Sequence, residues 1–202
     1  MKARKDAAFK KIINEGDIVV PDGVGVVLAS RLWPVKFKER VPGYDLLLAI
    51  FDRIKDTGHT VYFYGGAPGV AELAKAKMEA AYPGLNVAGT RNGYINEAEQ
   101  EEMIAEICRL KPDILVVCTG FPRQEFWINN NKGRLPCKLL IGAGGSLDGF
   151  SGTVKRAPVF FRKLGLEWLY RLIRQPSRFK RQLQLPLFMI MAVAERIKHK
   201  NT

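Results

Sequence analysis

Along the first 150 residues, short apolar runs alternate with stretches in which apolar residues recur every three or four positions. The short runs are typical of buried strands, and the periodic stretches are typical of amphipathic helices. Strands are predicted over 17–20, 60–64, 85–90, 114–118 and 139–143, and helices over 24–32, 44–55, about 70–81, 97–110 and 123–131. Strands separated by helices indicate βαβ units, so we expect an α/β fold with a parallel sheet flanked by helices.

From Pro158 onwards the pattern is helical throughout, which predicts an α/β domain over residues 1–152 and a helical appendage over 153–202. The appendage carries most of the excess positive charge. Residues 151–202 hold 12 Lys or Arg against 2 Asp or Glu, whereas residues 1–150 hold 20 against 18. Large apolar side chains such as Phe160, Trp168 and Leu172 are mixed with these cations, a composition that suits the anionic and apolar interface of a bilayer.

Four arginines of this tail recur at spacings of three and four, which gathers them towards one side of a helix although Pro176 must break or kink the run. They are predicted to contact lipid phosphates, and they are Arg171, Arg174, Arg178 and Arg181. The alternative is an ordinary helical subdomain that packs its aromatic residues on its own core, and the apolar groups also fit self-association into a homo-oligomer. The longest uncharged apolar run, Leu185–Ala194, has ten residues, and about 20 are needed to span a membrane.

Composition narrows the class of protein further. The chain has 202 residues, 47% of them hydrophobic, which is enough for a folded core. Its net charge of +12 favours anionic partners: lipid, nucleic acid or a phosphorylated substrate. Three dispersed cysteines indicate a reducing compartment, and the polar, basic start of the chain lacks the pattern of a secretory signal. We therefore expect a cytoplasmic protein that attaches peripherally to the inner face of the membrane.

Four unusual sequences follow predicted strands, at residues 21–25, 65–69, 119–124 and 142–152. Ligands of open parallel sheets bind outside the carboxyl ends of the strands, so these sequences predict one binding site. Gly65 and Gly66 lie between a strand and a helix, where close backbone approach and the helix N-terminus favour a phosphate. This glycine run is not a complete dinucleotide or P-loop motif, and a tight turn explains it equally well.

Polar side chains in these sequences are candidates for chemistry. Asp22 is suited to accept a proton from a substrate hydroxyl, or else to cap the following helix. Arg40 is suited to neutralise a leaving diphosphate, or else belongs to a solvated basic loop. Arg123 and Gln124 are suited to bind a phosphate and a sugar hydroxyl, unless they simply begin a helix.

The last glycine-rich stretch holds five glycines in the eleven residues from 142 to 152, interleaved with Leu147 and Phe150. This interleaving favours a ligand loop over a flexible linker. Its backbone, at Gly144 and Gly145, is suited to wrap a ligand, and Asp148 is suited to bind a ribose diol. Tyr94 is a candidate to stack on a base, the alternative being a turn aromatic at the edge of the core.

Metal-binding patterns are missing from the sequence: it has no D-x-D pair, and His59 and His199 lie far apart. We therefore expect neither a metal nor a cofactor. A nucleic-acid-binding module is a rival suggested by the charge, but such modules carry basic and aromatic residues on an exposed sheet, and here the strands are apolar. An NAD-dependent oxidoreductase is a second rival, and the incomplete glycine motif weighs against it.

Taken together and in order, five motifs resemble the WecG/TagA/CpsF family of bacterial glycosyltransferases, most closely its TagA-type N-acetylmannosaminyltransferases of wall teichoic acid synthesis. The motifs are Asp17–Gly25, Arg40–Gly43, Tyr64–Gly66, Thr119–Glu125 and Gly142–Gly145, and the resemblance covers nearly the whole chain. Relative to the family the chain begins late, so we expect a first strand and a loop near the active site to be absent.

The resemblance implies a Rossmann-like domain with a C-terminal helical appendage. It also implies transfer of N-acetylmannosamine from its UDP donor to undecaprenyl-diphosphate-linked N-acetylglucosamine, with inversion to a β-1,4 linkage and without a metal. A different UDP-hexose donor, such as N-acetylmannosaminuronic acid, stays an alternative. Asp22 aligns with the base proposed for the family and Arg40 with an arginine suited to the leaving diphosphate. Gln124 would position the donor sugar, and Asp148 and Tyr94 would contact ribose and uracil. The four tail arginines would contact lipid phosphates or the diphosphate of this acceptor.

Overall fold

A computed structural model describes residues 1–174, 179 and 184–200 of the chain. The described residues within 43–155 form one compact unit, and those within 1–42 and 156–202 form another. The sequence-based division at residue 152, with its assignment of function to each part, stays a prediction. In chain order the helices are α1 (Lys2–Lys5), α2 (Ala7–Asn14), α3 (Val24–Ser30), α4 (Gly43–Ile54), α5 (Val70–Ala81), α6 (Glu97–Leu110), α7 (Arg123–Asn131), α8 (Ser146–Phe150), α9 (Val159–Lys163), α10 (Glu167–Arg174) and α11 (Gln184–Lys200).

The unit of residues 43–155 is built on one parallel sheet, which confirms the predicted α/β class. Its strands are β1 (Thr60–Gly65), β2 (Asn86–Arg91), β3 (Ile114–Cys118) and β4 (Leu139–Gly142), in the order β2-β1-β3-β4. The chain runs from β1 to β2 on one side and then crosses to β3 on the other. The strand order therefore reverses between β1 and β3, which is where open α/β sheets bind their ligands.

Two apolar layers cover the sheet, so its two central strands, β1 and β3, are buried on both faces, as is usual for parallel strands. One face packs under α4, α5 and α8 through Phe51, Phe63 and Leu147. The other packs under α6 and α7 through Tyr62 and Trp127. The site at the strand ends is thus carried on a core whose central side chains are fully buried.

Helix α6 shows how local sequence sets an element. The side chain of Asn96 accepts a hydrogen bond from the Glu99 amide, and the Glu99 carboxylate accepts one from the Asn96 amide. This reciprocal capping fixes the first turn, and the helix begins and ends at the predicted residues. The other strands and helices predicted between residues 24 and 143 are likewise present, with ends shifted by at most about two residues.

The predicted strand over Asp17–Val20 is wrong. Residues 18–20 lie outside any helix or strand, and Ile18 is 80% exposed. A strand requires a neighbour to which its backbone groups can bond, and within the described residues the sheet contains only the four strands named above.

In the other unit, N-terminal and C-terminal segments pack on each other. A Cβ at Gly25 of α3 would lie 3.7 Å from the ring of Phe188 on α11, so the glycine allows close packing here. The Arg196 guanidinium lies 5.7 Å from the ring centre of Trp33. Among the described helices, none is both long enough and apolar enough to cross a bilayer.

Candidate active site

A cavity of about 310 Å³ lies at the carboxyl ends of the strands. Each of the four strands contributes the loop that follows it. The lining residues are Gly66, Ala67, Gly93, Tyr94, Cys118, Thr119, Gly120, Arg123, Gly144, Gly145 and Asp148. Six of the residues predicted from the sequence to bind substrate are therefore brought together here, which follows from the rule that parallel strands end at one edge.

The loop after β1 passes very close to the end of β3. Gly65 has φ of +137°, and a Cβ on it would collide with the carbonyl group of Cys118. The Gly66 amide donates to the Cys118 carbonyl oxygen over 3.3 Å. Only glycine fits this approach, so the Gly65-Gly66 pair serves the geometry of the cavity floor whatever ligand it holds.

The loop after β2 is fixed to the first loop. The Gly93 amide donates to the Gly66 carbonyl oxygen over 2.8 Å. Next to it, the Tyr94 amide donates to the Asn92 side chain over 2.9 Å, which forms a tight turn. The Tyr94 side chain is 76% exposed at the rim of the cavity, an arrangement that suits stacking on a planar ligand.

Arg123, the first residue of α7, lines the cavity and donates from Nη2 to the Gly93 carbonyl oxygen over 2.9 Å. Beneath it lies the fully buried ring of Tyr64. Burial raises the pKa of the Tyr64 hydroxyl, and the neighbouring Arg123 guanidinium partly opposes this shift. A guanidinium in this position is suited to pair with a phosphate group.

Gln124 does not line the cavity, because its side chain is turned into the protein and only 5% of the residue is exposed. Its Oε1 accepts from the Gly144 amide over 2.9 Å, and its Nε2 donates to Glu125 over 2.8 Å. The second carboxylate oxygen of Glu125 is buried and has no hydrogen-bond partner among the described residues. The predicted contact between Gln124 and a donor sugar stays a prediction, and the amide as it stands holds the loop after β4.

The loop after β4 turns at Gly144, where φ is +57°. Both the amide and the hydroxyl of Ser146 donate to the Ala143 carbonyl oxygen, over 3.1 and 2.7 Å. Asp148 lies in the first turn of α8 and lines the cavity. Its main-chain oxygen accepts from the hydroxyls of Ser151 and Thr153, both over 3.0 Å, so the backbone that carries the carboxylate is held from below.

Cys118 forms part of the cavity wall, but its thiol is not suited to act as a nucleophile. Burial raises its pKa to about 12. The thiolate that such chemistry requires is therefore scarce at neutral pH.

Asp22 and Arg40 belong to the other unit, and there the structure brings their segments together. The Val41 amide donates to the Pro21 carbonyl oxygen over 2.8 Å, so the neighbours of the two predicted catalytic residues share one backbone hydrogen bond. Asp22 is exposed. The Arg40 guanidinium lies 3.3 Å from the carboxylate of Glu167, with only 21% of the Arg40 side chain exposed.

The tail arginines fall partly beyond what the structure describes. Arg171 and Arg174 lie within the backbone of α10. Arg178 and Arg181 lie outside the described residues. Their predicted contacts with lipid or with an acceptor diphosphate stay predictions. In the described part of the chain no group of three or more His, Cys, Asp or Glu side chains is placed to hold a metal ion.

Sequence reasoning missed five residues of the cavity wall: Ala67, Gly93, Cys118, Thr119 and Gly120. Gly93 had a detectable signal, since it follows the end of β2 and a βα loop is expected to contribute there. Thr119 and Gly120 lie in the stretch 119–124, where the polar side chains of Arg123 and Gln124 give the stronger signal of ligand binding. The Thr119 hydroxyl is buried and has no hydrogen-bond partner among the described residues.

A glycine-lined cleft at the switch point of a parallel sheet, with a cation on one wall and a carboxylate on another, is typical of α/β proteins that bind a ligand at the carboxyl ends of their strands. The model of the WecG/TagA/CpsF glycosyl transferase family matches residues 1–202, and the chain belongs to this family. The family predicted from the motifs is thereby confirmed.

Three relatives share one name, N-acetylglucosaminyldiphosphoundecaprenol N-acetyl-beta-D-mannosaminyltransferase. The chain is 36% identical to the protein of Bacillus spizizenii (strain W23), over 93% of this chain and 72% of the relative. It is 35% identical to that of Bacillus subtilis (strain 168), over 99% and 77%. It is also 35% identical to that of Staphylococcus aureus (strain MRSA252), over 96% and 76%.

Proposed function

We propose that this protein transfers N-acetylmannosamine from UDP-N-acetylmannosamine to undecaprenyl-diphosphate-linked N-acetylglucosamine. The observation that carries the proposal is the position of the cavity, at the carboxyl ends of all four strands, in a member of a glycosyltransferase family. The shared name of the three relatives supports the choice of acceptor and of transferred sugar. Family membership disfavours the nucleic-acid-binding and oxidoreductase alternatives.

The donor is proposed to bind in this cavity with its diphosphate over the glycine loops. Arg123 uses one N–H on Gly93, and a guanidinium has five, so others remain for phosphate oxygens. Gly66, Gly144 and Gly145 allow the nucleotide to approach the backbone. Gly65 allows the backbone of the cavity floor to pass close to Cys118. Asp148 is proposed to accept hydrogen bonds from the ribose diol, and Tyr94 to stack on uracil.

The chemical step is proposed to be a single displacement with inversion. The 4-hydroxyl oxygen of the acceptor attacks the anomeric carbon while its proton passes to the Asp22 carboxylate. The bond from that carbon to the diphosphate oxygen breaks, and UDP leaves with the electron pair. Arg40 is proposed to stabilise the negative charge that develops on the departing diphosphate, a role that fixed cations perform without reorganisation.

Transfer is proposed to proceed without a divalent cation, because the sequence has no D-x-D pair and carries other positive charge instead. The test supplies several UDP-sugars with a lipid-diphosphate N-acetylglucosamine acceptor and measures UDP release, with and without EDTA. We expect acceptor-dependent release from UDP-N-acetylmannosamine that EDTA leaves unchanged. Release from UDP-N-acetylmannosaminuronic acid instead would select the alternative donor, and no acceptor-dependent release from any donor would overturn the proposal.

The role of Asp22 is tested by Asp22→Asn, which removes the proton acceptor and keeps the shape of the side chain. Loss of a general base is expected to lower kcat by about 100- to 10,000-fold with little change in UDP affinity. Asp17→Asn is the matched control, since it makes the same charge change at an exposed position of the same segment. An Asp22→Asn protein with normal kcat would remove the assignment.

Peripheral attachment to an anionic membrane is also proposed. Exposed apolar side chains recur along one face of α11 at Leu187, Ile190, Val193 and Ile197. The same unit carries most of the basic excess, and each cation near an anionic surface contributes about 1 kcal/mol. We expect Ile190→Glu/Ile197→Glu to reduce sedimentation with phosphatidylglycerol vesicles, and Gln184→Glu, an exposed change on the same helix, to have a smaller effect. Equal sedimentation of all three proteins would contradict the proposal.

A further inference from the structure

Two consecutive side chains at the start of α7 reach opposite walls of the cavity. The Arg123 guanidinium donates to the Gly93 carbonyl oxygen in the loop after β2. The Gln124 amide accepts from the Gly144 N–H in the loop after β4. Because β2 and β4 are the two outer strands of the sheet, these contacts connect α7 to both edges of the cleft.

The Arg123 side of this arrangement extends across three loops. Gly93, which accepts from Arg123, itself donates to the Gly66 carbonyl oxygen over 2.8 Å. A Cβ at Gly93 would lie 3.3 Å from the Gly65 Cα, so the backbones of the two loops are in contact. The position of Arg123 therefore fixes the loop after β2, and through it the floor at Gly66.

The side chain of Gln124 packs closely against Gly142. A Cβ at Gly142 would lie 2.8 Å from Gln124 Nε2, so the absence of a side chain there makes room for the amide. Nε2 also donates to Glu125, which sets the orientation of the amide and points Oε1 at the Gly144 N–H. Only 5% of Gln124 is exposed, so water does not easily take the place of its Oε1 as the acceptor for the Gly144 amide.

We propose that Gln124 is a positioning residue, which acts on the bound nucleoside diphosphate through the Gly144 turn, while Arg123 holds the Gly93 turn on the opposite wall. The two side chains keep the cleft in its binding shape before the ligand arrives. This inference rests on the proposed function, because it concerns the same cavity, and it differs from a direct contact between Gln124 and the donor sugar in what it predicts for UDP alone.

Calorimetric titration with UDP, which lacks the sugar, separates the two roles. Gln124→Met keeps the length of the side chain and removes the acceptor of the Gly144 N–H. A positioning role predicts that the Kd for UDP rises about tenfold, because a mobile Gly144 turn must be ordered on binding. A sugar contact predicts an unchanged Kd for UDP and a weaker Kd only for the UDP-sugar, and this result would overturn the inference.

Hydrogen exchange locates the effect on one wall or the other. In Gln124→Met the amides of residues 142–148 are expected to exchange faster, with those of residues 92–95 unchanged. In Arg123→Met the amides of residues 92–95 are expected to exchange faster, with those of residues 142–148 unchanged. Faster exchange in both segments of both variants would indicate general loosening of the domain and would count against the inference, as would exchange unchanged in all segments.

A double substitution that swaps the two residues tests whether affinity for UDP can be restored. Gln124→Glu/Glu125→Gln keeps the net charge and restores an acceptor for the Gly144 N–H together with a hydrogen bond between the two side chains. Its affinity for UDP is expected to exceed that of Gln124→Met. Affinity no better than that of Gln124→Met, at a Tm equal to that of the wild type, would contradict the inference. If the wild-type protein binds no UDP at all, it is the proposed function that fails.

Discussion

The guanidinium of Arg40 is paired with the carboxylate of Glu167, a residue 127 positions further along the chain, over 3.3 Å. Both side chains are largely shielded from solvent, with 21% and 13% exposed. Glu167 is the first residue of α10, so the arginine proposed to face the leaving diphosphate is held by the helical tail. The tail thus has a structural role besides the proposed attachment to lipid.

Replacing Glu167 by Gln should lower the free energy of unfolding by about 2 kcal/mol, because Arg40 loses a charged partner in a mostly shielded position. Urea denaturation measures the loss. In an Arg40→Met background the same substitution should cost clearly less, since the pair is already broken. An equal loss in both backgrounds would show that Glu167 acts through other contacts. Asp52→Asn, which breaks an exposed pair with Lys55, should have a much smaller effect.

At the amino ends of the strands, away from the cavity, Asp113 joins the beginnings of β1, β3 and β4. Its carboxylate accepts from the Thr60 amide over 2.9 Å and from the Lys138 ammonium over 2.7 Å. Its main-chain oxygen accepts from the amides of Lys138 and Leu139. The bond to Lys138, followed by that to the Thr60 amide, lowers the pKa of Asp113 below its ordinary value of 3.8.

The direction of this shift fixes the pH dependence. Since the pKa is lower in the folded state, the contribution of Asp113 is fully present above pH 3.8 and is lost as the pH falls through the folded value. The difference in unfolding free energy between wild type and Asp113→Asn should therefore be largest near neutral pH and should shrink in acid. Urea titrations at several pH values test this, and a difference independent of pH would contradict it.

Gly65→Ala should be among the most damaging single substitutions in the sheet. The added Cβ meets the Cys118 carbonyl group, and φ of +137° is unfavourable for alanine. We expect a loss of more than about 3 kcal/mol in the free energy of unfolding. Gly58→Ala is the matched control, because φ there is +74° but no atom lies within 4 Å of the new Cβ. It should cost about 1 kcal/mol, and equal losses would show that the contact with Cys118 is unimportant.

The thiol of Cys118 should be inert in the folded protein although the residue borders the cavity. With a pKa of about 12, its thiolate fraction at pH 8 is very small. In a Cys108→Ser/Cys137→Ser protein, iodoacetamide should label Cys118 about a thousandfold more slowly than after unfolding in urea. Fast labelling of the native protein at pH 8 would contradict the burial described here.

Sequence succeeds where the determinant of an element is local. Asn96 and Glu99 lie three positions apart and set the start of α6 by themselves. The run Asp17–Val20 has the composition of a strand, yet a strand depends on a neighbour that local composition does not supply. The exposed positions of Ile18 and Val19 follow from its absence within the described residues.

The sequence predicts which loops form the site, but it does not predict the hydrogen bonds that connect them. The rule for parallel strands places Gly66, Tyr94 and Asp148 at one edge without any knowledge of side-chain contacts. The partners of Arg123 and Gln124 lie 30 and 20 residues away, so only the fold decides them. The sequence places Gln124 among the ligand-binding candidates beside Arg123, because the burial of its amide depends on contacts that the sequence does not show.

The connection from β3 to α7, residues 119–122, has a consequence for how this chain can vary. Arg123 and Gln124 serve opposite walls only because α7 begins where it does. Deleting or inserting one residue ahead of α7 would turn the helix by about 100° and carry both side chains away from their carbonyl and amide partners together. We therefore expect the length of this connection to vary less among relatives than the residues that compose it.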